Sequence, residues 1–335
     1  MVPDPGRQSS NVYNRLPFFF PLVLVFLTLL FPSPAMRLLN TVTKELFEFQ
    51  SDVPAYAILS HVWEKEEVTF RDIGDLDKAK KMQGFSKIIG ACDTAIKDGL
   101  KYIWIDTCCI NKDSSAEVSE AINSMYMWYK NSRVCYAYLS DVSKEDDHEN
   151  SCSFFATSLW FSRGWTLQEL IAPRRVVFYG MNWIDIGTKA TLRHTISTIT
   201  GIDIGVITDG SLDRLNSIPV AVRMSWAADR NTTREEDVAY SLMGLFGVTM
   251  PLLYGERGKA FIRLQHEIIK QSDDHSIFAW ASQDDGERGI LARSPSEFRN
   301  SEKVERIPDS SEDSKPYFIT NKGLRIDLPT LSSYF

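Results

Sequence analysis

The chain has 335 residues, of which 44% are hydrophobic and 24% charged, and its formal net charge is −7. These values are typical of a folded globular protein with a substantial core, in one large domain or two modest ones. The negative charge argues against the basic face that binding to DNA or RNA requires, so no nucleic acid partner is expected.

The N-terminal segment, residues 1–35, differs in composition from the rest of the chain. Residues 16–31 are almost wholly apolar, and they lie between two arginines and the small residues of Pro32-Ser33-Pro34-Ala35. This order resembles a secretory signal sequence, although the run is slightly shorter than the ~20 residues that span a bilayer. A signal sequence, a marginal membrane anchor and an over-extended gene model with its natural start at Met36 are all open. Membrane association is expected only if residues 16–31 are retained, and otherwise the expected location is the cytoplasm.

Between residues 36 and 183, apolar strands alternate with helical patterns. Buried strands are predicted at residues 56–60, 102–106, 134–139 and 175–179. Helices are predicted at residues 85–96, at a capping box formed by Ser114 and Glu117, and at residues 153–172 with a break near 162–164. This alternation predicts right-handed βαβ crossovers, and hence an α/β domain with a mainly parallel sheet flanked by helices.

Residues 184–280 predict an α-helical extension of this domain. Helical spacing is found at residues 192–202, 233–246 and 258–269, and the second of these has a capping box at Thr233 and Glu236. Residues 284–316 have the composition of a mobile linker, within a last region of residues 281–335. A β hairpin is predicted at residues 317–326, as the start of a truncated β region.

The cysteines and the glycines predict neither a metal site nor a cofactor. Five cysteines are an odd number, without the spacing of a disulfide framework or a zinc site, which indicates free thiols in a reducing compartment. The sequence has no phosphate-binding glycine motif. His61 with Cys108 or Cys109 forms either a base–thiol pair or a hydrogen-bonded histidine beside buried thiols.

Polar side chains follow two of the predicted strands where each strand ends. They are Ser60, His61 and Trp63 after the first strand, and Asp106 and Cys108 after the second. Ligand sites of parallel sheets form beyond the carboxyl ends of the strands, so these residues predict the rim of a pocket. The alternative is that strand ends become polar where they reach solvent.

Glu169 is the carboxylate with the clearest chemical interest. With Thr166 it matches a capping box, but such a helix would have only about six residues before Pro173. A helix that starts at Ser162 instead places Glu169 inside it, with Trp165 one turn earlier on the same face. A carboxylate beside a large aromatic ring is desolvated and its pKa is raised, which suits acid/base work or the stabilisation of an oxocarbenium ion.

Three segments in this order resemble the signature blocks of fungal heterokaryon-incompatibility (HET) domains. They are residues 56–63 (YAILSHVW), 102–112 (YIWIDTCCINK) and 163–173 (RGWTLQELIAP). The similarity extends over roughly residues 36–280 and includes the helical segment that follows many HET domains. The resemblance implies a role in non-self recognition, in which fusion of incompatible fungal cells triggers programmed death. It also implies self-association and other incompatibility proteins as partners.

HET domains are themselves similar to TIR domains, which have a flavodoxin-like parallel sheet. Some TIR domains cleave NAD⁺ with a glutamate in a Trp-Cys-x-x-Glu setting, and Trp165 to Glu169 have this spacing with Thr166 in place of the cysteine. This resemblance implies Glu169 as the catalytic carboxylate, Trp165 as its aromatic neighbour and NAD⁺ as a substrate. A signalling module and an NAD⁺ glycohydrolase-like enzyme are therefore both expectations.

Overall fold

The computed structural model describes residues 35–143, 153–209, 212–283, 286–305 and 317–326. The apolar run at residues 16–31 and Cys152 lie outside the described residues. In the described ranges no helix is both long and apolar enough to cross a membrane.

The core of the fold is a seven-stranded sheet. Its strands are β1 (Met36–Asn40), β2 (Leu46–Phe49), β3 (Tyr56–His61), β4 (Tyr102–Trp104), β5 (Val134–Tyr138), β6 (Val176–Tyr179) and β7 (Asp185–Thr188). They lie in the order β2-β1-β4-β3-β5-β6-β7. The four central strands are parallel, whereas β1, β2 and β7 run antiparallel to their neighbours.

The four parallel strands are those that the sequence predicts. All six residues of β3 are buried, because the strand is covered on both faces and lies between β4 and β5. In chain order the parallel strands lie second, first, third, fourth, which is the flavodoxin-like order expected from the resemblance. The three antiparallel strands were not predicted, because they are short and mostly half-exposed at the sheet edges or, for β1, lie in a polar lead-in.

Eight helices accompany the strands up to β6 in the described part of the chain. They are α1 (Phe70–Ile73), α2 (Leu76–Ala79), α3 (Phe85–Lys97), α4 (Asp106–Cys109), α5 (Ser115–Asn131), α6 (Phe154–Thr157), α7 (Leu159–Ser162) and α8 (Thr166–Ile171). The Ser114 side chain caps α5 as predicted, since it accepts a hydrogen bond from the Glu117 N–H group. The Glu117 carboxylate does not complete the box, because it forms a bidentate pair with Arg37 (2.6 and 2.8 Å).

The predicted helical extension is present and shares the core of the sheet. Its helices are α9 (Arg193–Thr200), α10 (Ile204–Asp209), α11 (Leu212–Ser217), α12 (Val220–Ser225), α13 (Asp237–Tyr240), α14 (Met243–Phe246) and α15 (Lys259–Gln271). The prediction of a single helix at residues 233–246 is wrong, because the structure has the two short helices α13 and α14 there. The Glu236 carboxylate accepts from the N–H groups of Gly255 (2.7 Å) and Arg257 (3.0 Å) instead of capping at Thr233.

The chain after α15 is more ordered than its composition predicts. Within the predicted linker, Ala292 and Phe298 are fully buried, and the Gln265 side chain forms two hydrogen bonds with the Ala292 backbone. Part of the predicted linker, residues 286–305, thus packs against the helical extension. The predicted hairpin is present as β8 (Phe318–Thr320) and β9 (Gly323–Arg325).

Candidate functional site

The helix that carries Glu169 begins later than the sequence predicts. The chain leaves α7 at Ser162, and α8 begins only at Thr166. The break forms because the Gly164 N–H group donates to the Asn231 carbonyl (2.9 Å) and the Asn231 N–H group donates to the Ser162 carbonyl (2.7 Å). These bonds draw the backbone out of the helical path and leave α8 with six residues.

Glu169 lies inside α8 and does not cap it. The Thr166 hydroxyl lies 2.5 Å from the Trp160 carbonyl and 2.9 Å from the Arg163 carbonyl, and no side-chain cap is formed at the start of α8. The Glu169 carboxyl points to the end of β3, where the Ser60 hydroxyl donates to Oε2 over 2.5 Å. The capping-box alternative is therefore wrong, and Glu169 faces the carboxyl edge of the sheet.

A second buried hydrogen bond joins Ser60 to Trp160. The Trp160 Nε1–H group donates to the Ser60 hydroxyl over 2.8 Å, so this hydroxyl accepts one bond and donates another. Ser60 and Trp160 have no exposed surface, and Glu169 is only 6% exposed. Because a buried polar group without a partner costs about 1–3 kcal/mol, this chain of bonds stabilises the position of the carboxyl.

The Glu169 carboxyl is mostly protonated at neutral pH. Burial raises its pKa from 4.5 to about 8, against opposing effects of the bonds from Ser60 and Tyr129. The Tyr129 hydroxyl donates its one proton to the Leu59 carbonyl over 3.0 Å. Burial is therefore the main cause of the neutral form of this carboxyl.

A second polar cluster forms beside this carboxyl, at the start of α4. Asp106 Oδ1 accepts from His61 Nε2 over 3.0 Å, and Oδ2 accepts from Trp63 Nε1 over 2.8 Å. The Lys112 ammonium lies 3.7 Å from the same carboxylate and 3.3 Å from the centroid of the Trp63 ring. Trp63 is half-exposed, so the cluster reaches from the buried strand end to solvent.

The two carboxyl groups differ in protonation: Asp106 is ionised, whereas Glu169 is mostly neutral. Burial opposes the ionisation of Asp106, but Lys112, together with the bonds from His61 and Trp63, holds the pKa of Asp106 below its usual range. The Asp106 charge in turn contributes to the raised pKa of Glu169. A pair of carboxyl groups with separated pKa values is the arrangement that acid/base sites use.

Cys108 forms no hydrogen bond with the side chains of this polar cluster among the described residues. Its side chain is fully buried, and the thiol lies 3.8 Å from the Ile105 carbonyl. A hydrogen bond with Cys109 and burial raise the pKa of Cys108 well above its usual value, so the group remains a thiol. The base–thiol alternative is not formed, because His61 Nε2 is paired with Asp106. The His61 Nδ1 atom is buried and has no partner among the described residues.

Trp165 is directed to the helical extension. Its side chain forms a hydrogen bond with the Asp237 carboxylate at the start of α13. The aromatic side chain that reaches the Ser60–Glu169 pair is instead Trp160, from α7. The prediction that Trp165 lies beside Glu169 assumed one regular helix through both residues. Because the helix is interrupted at residues 163–165, Trp160 reaches the carboxyl instead.

Sequence reasoning also missed the residue that caps the other end of α8. The Lys189 ammonium is buried and donates to the carbonyls of Leu170 (3.1 Å) and Pro173 (2.5 Å). Burial lowers its pKa to about 8. A lone lysine just after β7 carries no sequence pattern that indicates this contact, and neither do Tyr129 or Trp160.

The site is closed around Glu169. Of the two described cavities, one of about 10 Å³ is lined by Arg37 and Glu117, and one of about 70 Å³ is lined by Trp226 and Arg230. Neither is lined by Glu169. Any ligand that touches this carboxyl has to displace the surrounding side chains, whereas Trp63 is open to solvent.

Comparison with known proteins finds similarity over parts of this chain. A family model for "Heterokaryon incompatibility protein (HET)" matches residues 56–158, and a "Domain of unknown function (DUF8212)" matches residues 259–288. The chain is 45% identical over 225 residues to the vegetative incompatibility protein HET-E-1 of Podospora anserina. The aligned residues make up 65% of this chain and 16% of that relative. No solved structure matches the chain.

The matched segment runs from the start of β3 to the residue before α7. It contains the strand ends with Ser60, His61 and Asp106, while Glu169 lies beyond it. The chain spans about one sixth of the length of that relative. Residues 56–158 of this chain are thus similar to the heterokaryon-incompatibility (HET) family.

Proposed function

We propose that this chain is a signalling module that promotes programmed cell death when incompatible fungal cells fuse. The observation that carries the proposal is the 45% identity to a vegetative incompatibility protein over 225 residues. That length exceeds the segment 56–158, so the similarity reaches beyond the matched family segment. A cytoplasmic location fits the four described cysteines, which are all free and buried.

Signalling by assembly needs a surface for other copies or other incompatibility proteins. Leu159 is 61% exposed and Met181 is 45% exposed. Their backbone N–H groups bind the Asp141 carboxylate (2.8 Å) and the Val142 carbonyl (2.7 Å), so both side chains flank the turn after β5. Exposed apolar side chains that lie together support a contact surface at this end of the sheet.

Inducible expression in fungal hyphae tests the proposal. The chain is expected to kill cells, measured by uptake of a vital dye, and Leu159→Ser is expected to reduce both killing and self-association on a sizing column. Val42→Ser is the matched control, because Val42 is 69% exposed in the turn between β1 and β2. The proposal is contradicted if cells survive although they contain the folded original chain at the same level as the folded Val42→Ser control.

The second candidate function is a nucleotide hydrolase, and the observation that supports it is the Glu169 carboxyl, with its raised pKa, at the strand ends that carry Ser60 and Asp106. Hydrolysis of NAD⁺ breaks the bond between the ribose and the nicotinamide, which leaves with the bonding electrons. Water then adds to the ribosyl cation and releases a proton, which gives ADP-ribose. Because the Glu169 carboxyl is mostly protonated, it would have to release its proton when the substrate enters, and the resulting carboxylate would stabilise the ribosyl cation together with Asp106. NAD⁺ is the substrate in this proposal, and no cofactor is part of it.

Nicotinamide release from NAD⁺ separates the two functions. Glu169→Gln is expected to abolish release, whereas Glu267→Gln on α15, where Glu267 pairs with Lys270, is expected to leave it unchanged. Killing that persists in folded Glu169→Gln contradicts the hydrolase and leaves the signalling module. Killing and release lost together in that variant support the hydrolase.

A further inference from the structure

The extension crosses the chain directly before the helix that carries Glu169. Arg163 and Asn231 form a parallel β bridge, with backbone hydrogen bonds on both sides. At Gly164 a Cβ atom would lie 2.5 Å from the Thr232 methyl group, so the two segments approach as closely as only glycine permits. The start of α8 is therefore held from outside the sheet.

The side chain of Arg230 reinforces this contact. Its Nη1 group donates to the Arg163 carbonyl (2.9 Å) and to the Thr166 hydroxyl (3.0 Å). Its Nε–H group donates to the Trp226 carbonyl (3.1 Å), which anchors the guanidinium on the extension. A single planar cation thus joins the chain after α12 to the first residue of α8.

Arg230 also acts on the charge of Glu169. Burial lowers the pKa of Arg230 to about 10, so the guanidinium keeps its charge at neutral pH. Its attraction lowers the pKa of Glu169, whereas Asp106 on α4 raises it. The other polar groups around this carboxyl are Ser60 on β3 and Tyr129 on α5, together with the Cys135 thiol on β5.

We infer that Arg230 is a positioning residue, which holds the first turn of α8 so that the Glu169 carboxyl remains against Ser60. The extension is then part of the functional unit, although the family match ends at residue 158. The importance of this contact for activity rests on the proposed hydrolase function. The contact itself is measurable without any activity.

Carbon-13 NMR of the full chain, labelled in the glutamate carboxyl groups, tests the inference. The Glu169 resonance is identified by its absence in Glu169→Gln, and its titration is followed in Arg230→Gln. We expect the midpoint to rise by about one pH unit, because an opposite charge nearby is lost. We also expect amide exchange in α8 to become about tenfold faster.

The matched control is Arg193→Gln, since Arg193 is a partly exposed arginine of the extension whose side chain binds only the Ala190 carbonyl among the described residues. It is expected to change neither quantity. If Arg230→Gln does not fold, Arg230→Lys replaces it and should still accelerate exchange in α8, because an ammonium cannot reproduce the planar fork. A folded Arg230 variant with unchanged exchange in α8 overturns the inference, whether or not the chain hydrolyses NAD⁺.

Discussion

Replacement of Glu169 by glutamine changes how the stability of the chain depends on pH. The folded-state pKa of Glu169 is about 8, against 4.5 for the free group, so the folded chain holds a proton that the unfolded chain releases. The stabilising effect is complete below the unfolded pKa and is lost as the pH rises through the folded pKa. Glutamine has nearly the same shape but does not titrate, so this loss disappears in Glu169→Gln.

The size of the effect follows from the two pKa values. One pH unit of difference corresponds to about 1.4 kcal/mol, so the whole loss is roughly 5 kcal/mol. Between about pH 5 and pH 8, the free energy of unfolding of the original chain falls by roughly 3.5 kcal/mol relative to the variant. Lys189, whose pKa burial lowers to about 8, is present in both proteins, so its titration cancels in the difference between them.

Urea unfolding at several pH values in this range measures the difference. The control is Glu267→Gln, whose carboxylate is partly exposed on α15 and which should keep a constant offset from the original chain. The slope of the free energy against urea concentration should be the same in all three proteins. A constant difference between Glu169→Gln and the original chain would refute the assignment of a neutral buried carboxyl.

The structure also predicts the effects of three further substitutions on the stability of the chain or on the pKa of Glu169. Gly164→Ala should lower the free energy of unfolding in urea by about 1–3 kcal/mol, because its Cβ would collide with the Thr232 methyl group. Addition of Thr232→Ser removes that methyl group and should restore most of the loss. Lys189→Met should cost about 1–3 kcal/mol in the same assay, because two carbonyls at the end of α8 lose their donor. Asp106→Asn should move the pH range of Glu169 ionisation downwards in an NMR titration, because the charge that raises its pKa is removed; an unchanged range would contradict the coupling.

The central strands were predictable because each is a continuous apolar run. The spacing of buried residues in α3 and the cap at Ser114 likewise carry local signals. The edge strands β2 and β7 carry weaker sequence signals, since they have four residues each and are partly exposed. Local pattern therefore predicts the four apolar parallel strands and misses the two exposed edge strands, while β1 was also missed although it is mostly buried between β2 and β4.

The site was predictable only in part, for a related reason. Ser60 and Asp106 follow from the rule that ligand sites of parallel sheets form at strand ends. Trp160 lies 100 positions from Ser60, and Arg230 lies 64 positions from Thr166, so no spacing along the chain connects them. Such contacts depend on how α7, α8 and the extension pack.

The antiparallel edge strands limit how the sheet can associate with other chains. β2 is the outermost strand on one side of the sheet, and it has only four residues, including the charged, exposed Glu48. β7 ends the other side, and Gly187 within it has a φ of +140°, which interrupts the regular strand path. Short, charged or irregular edges disfavour the addition of a strand from another molecule. The proposed association between copies of this domain would therefore use side-chain surfaces such as that around Leu159 and Met181 rather than the addition of strands to the sheet.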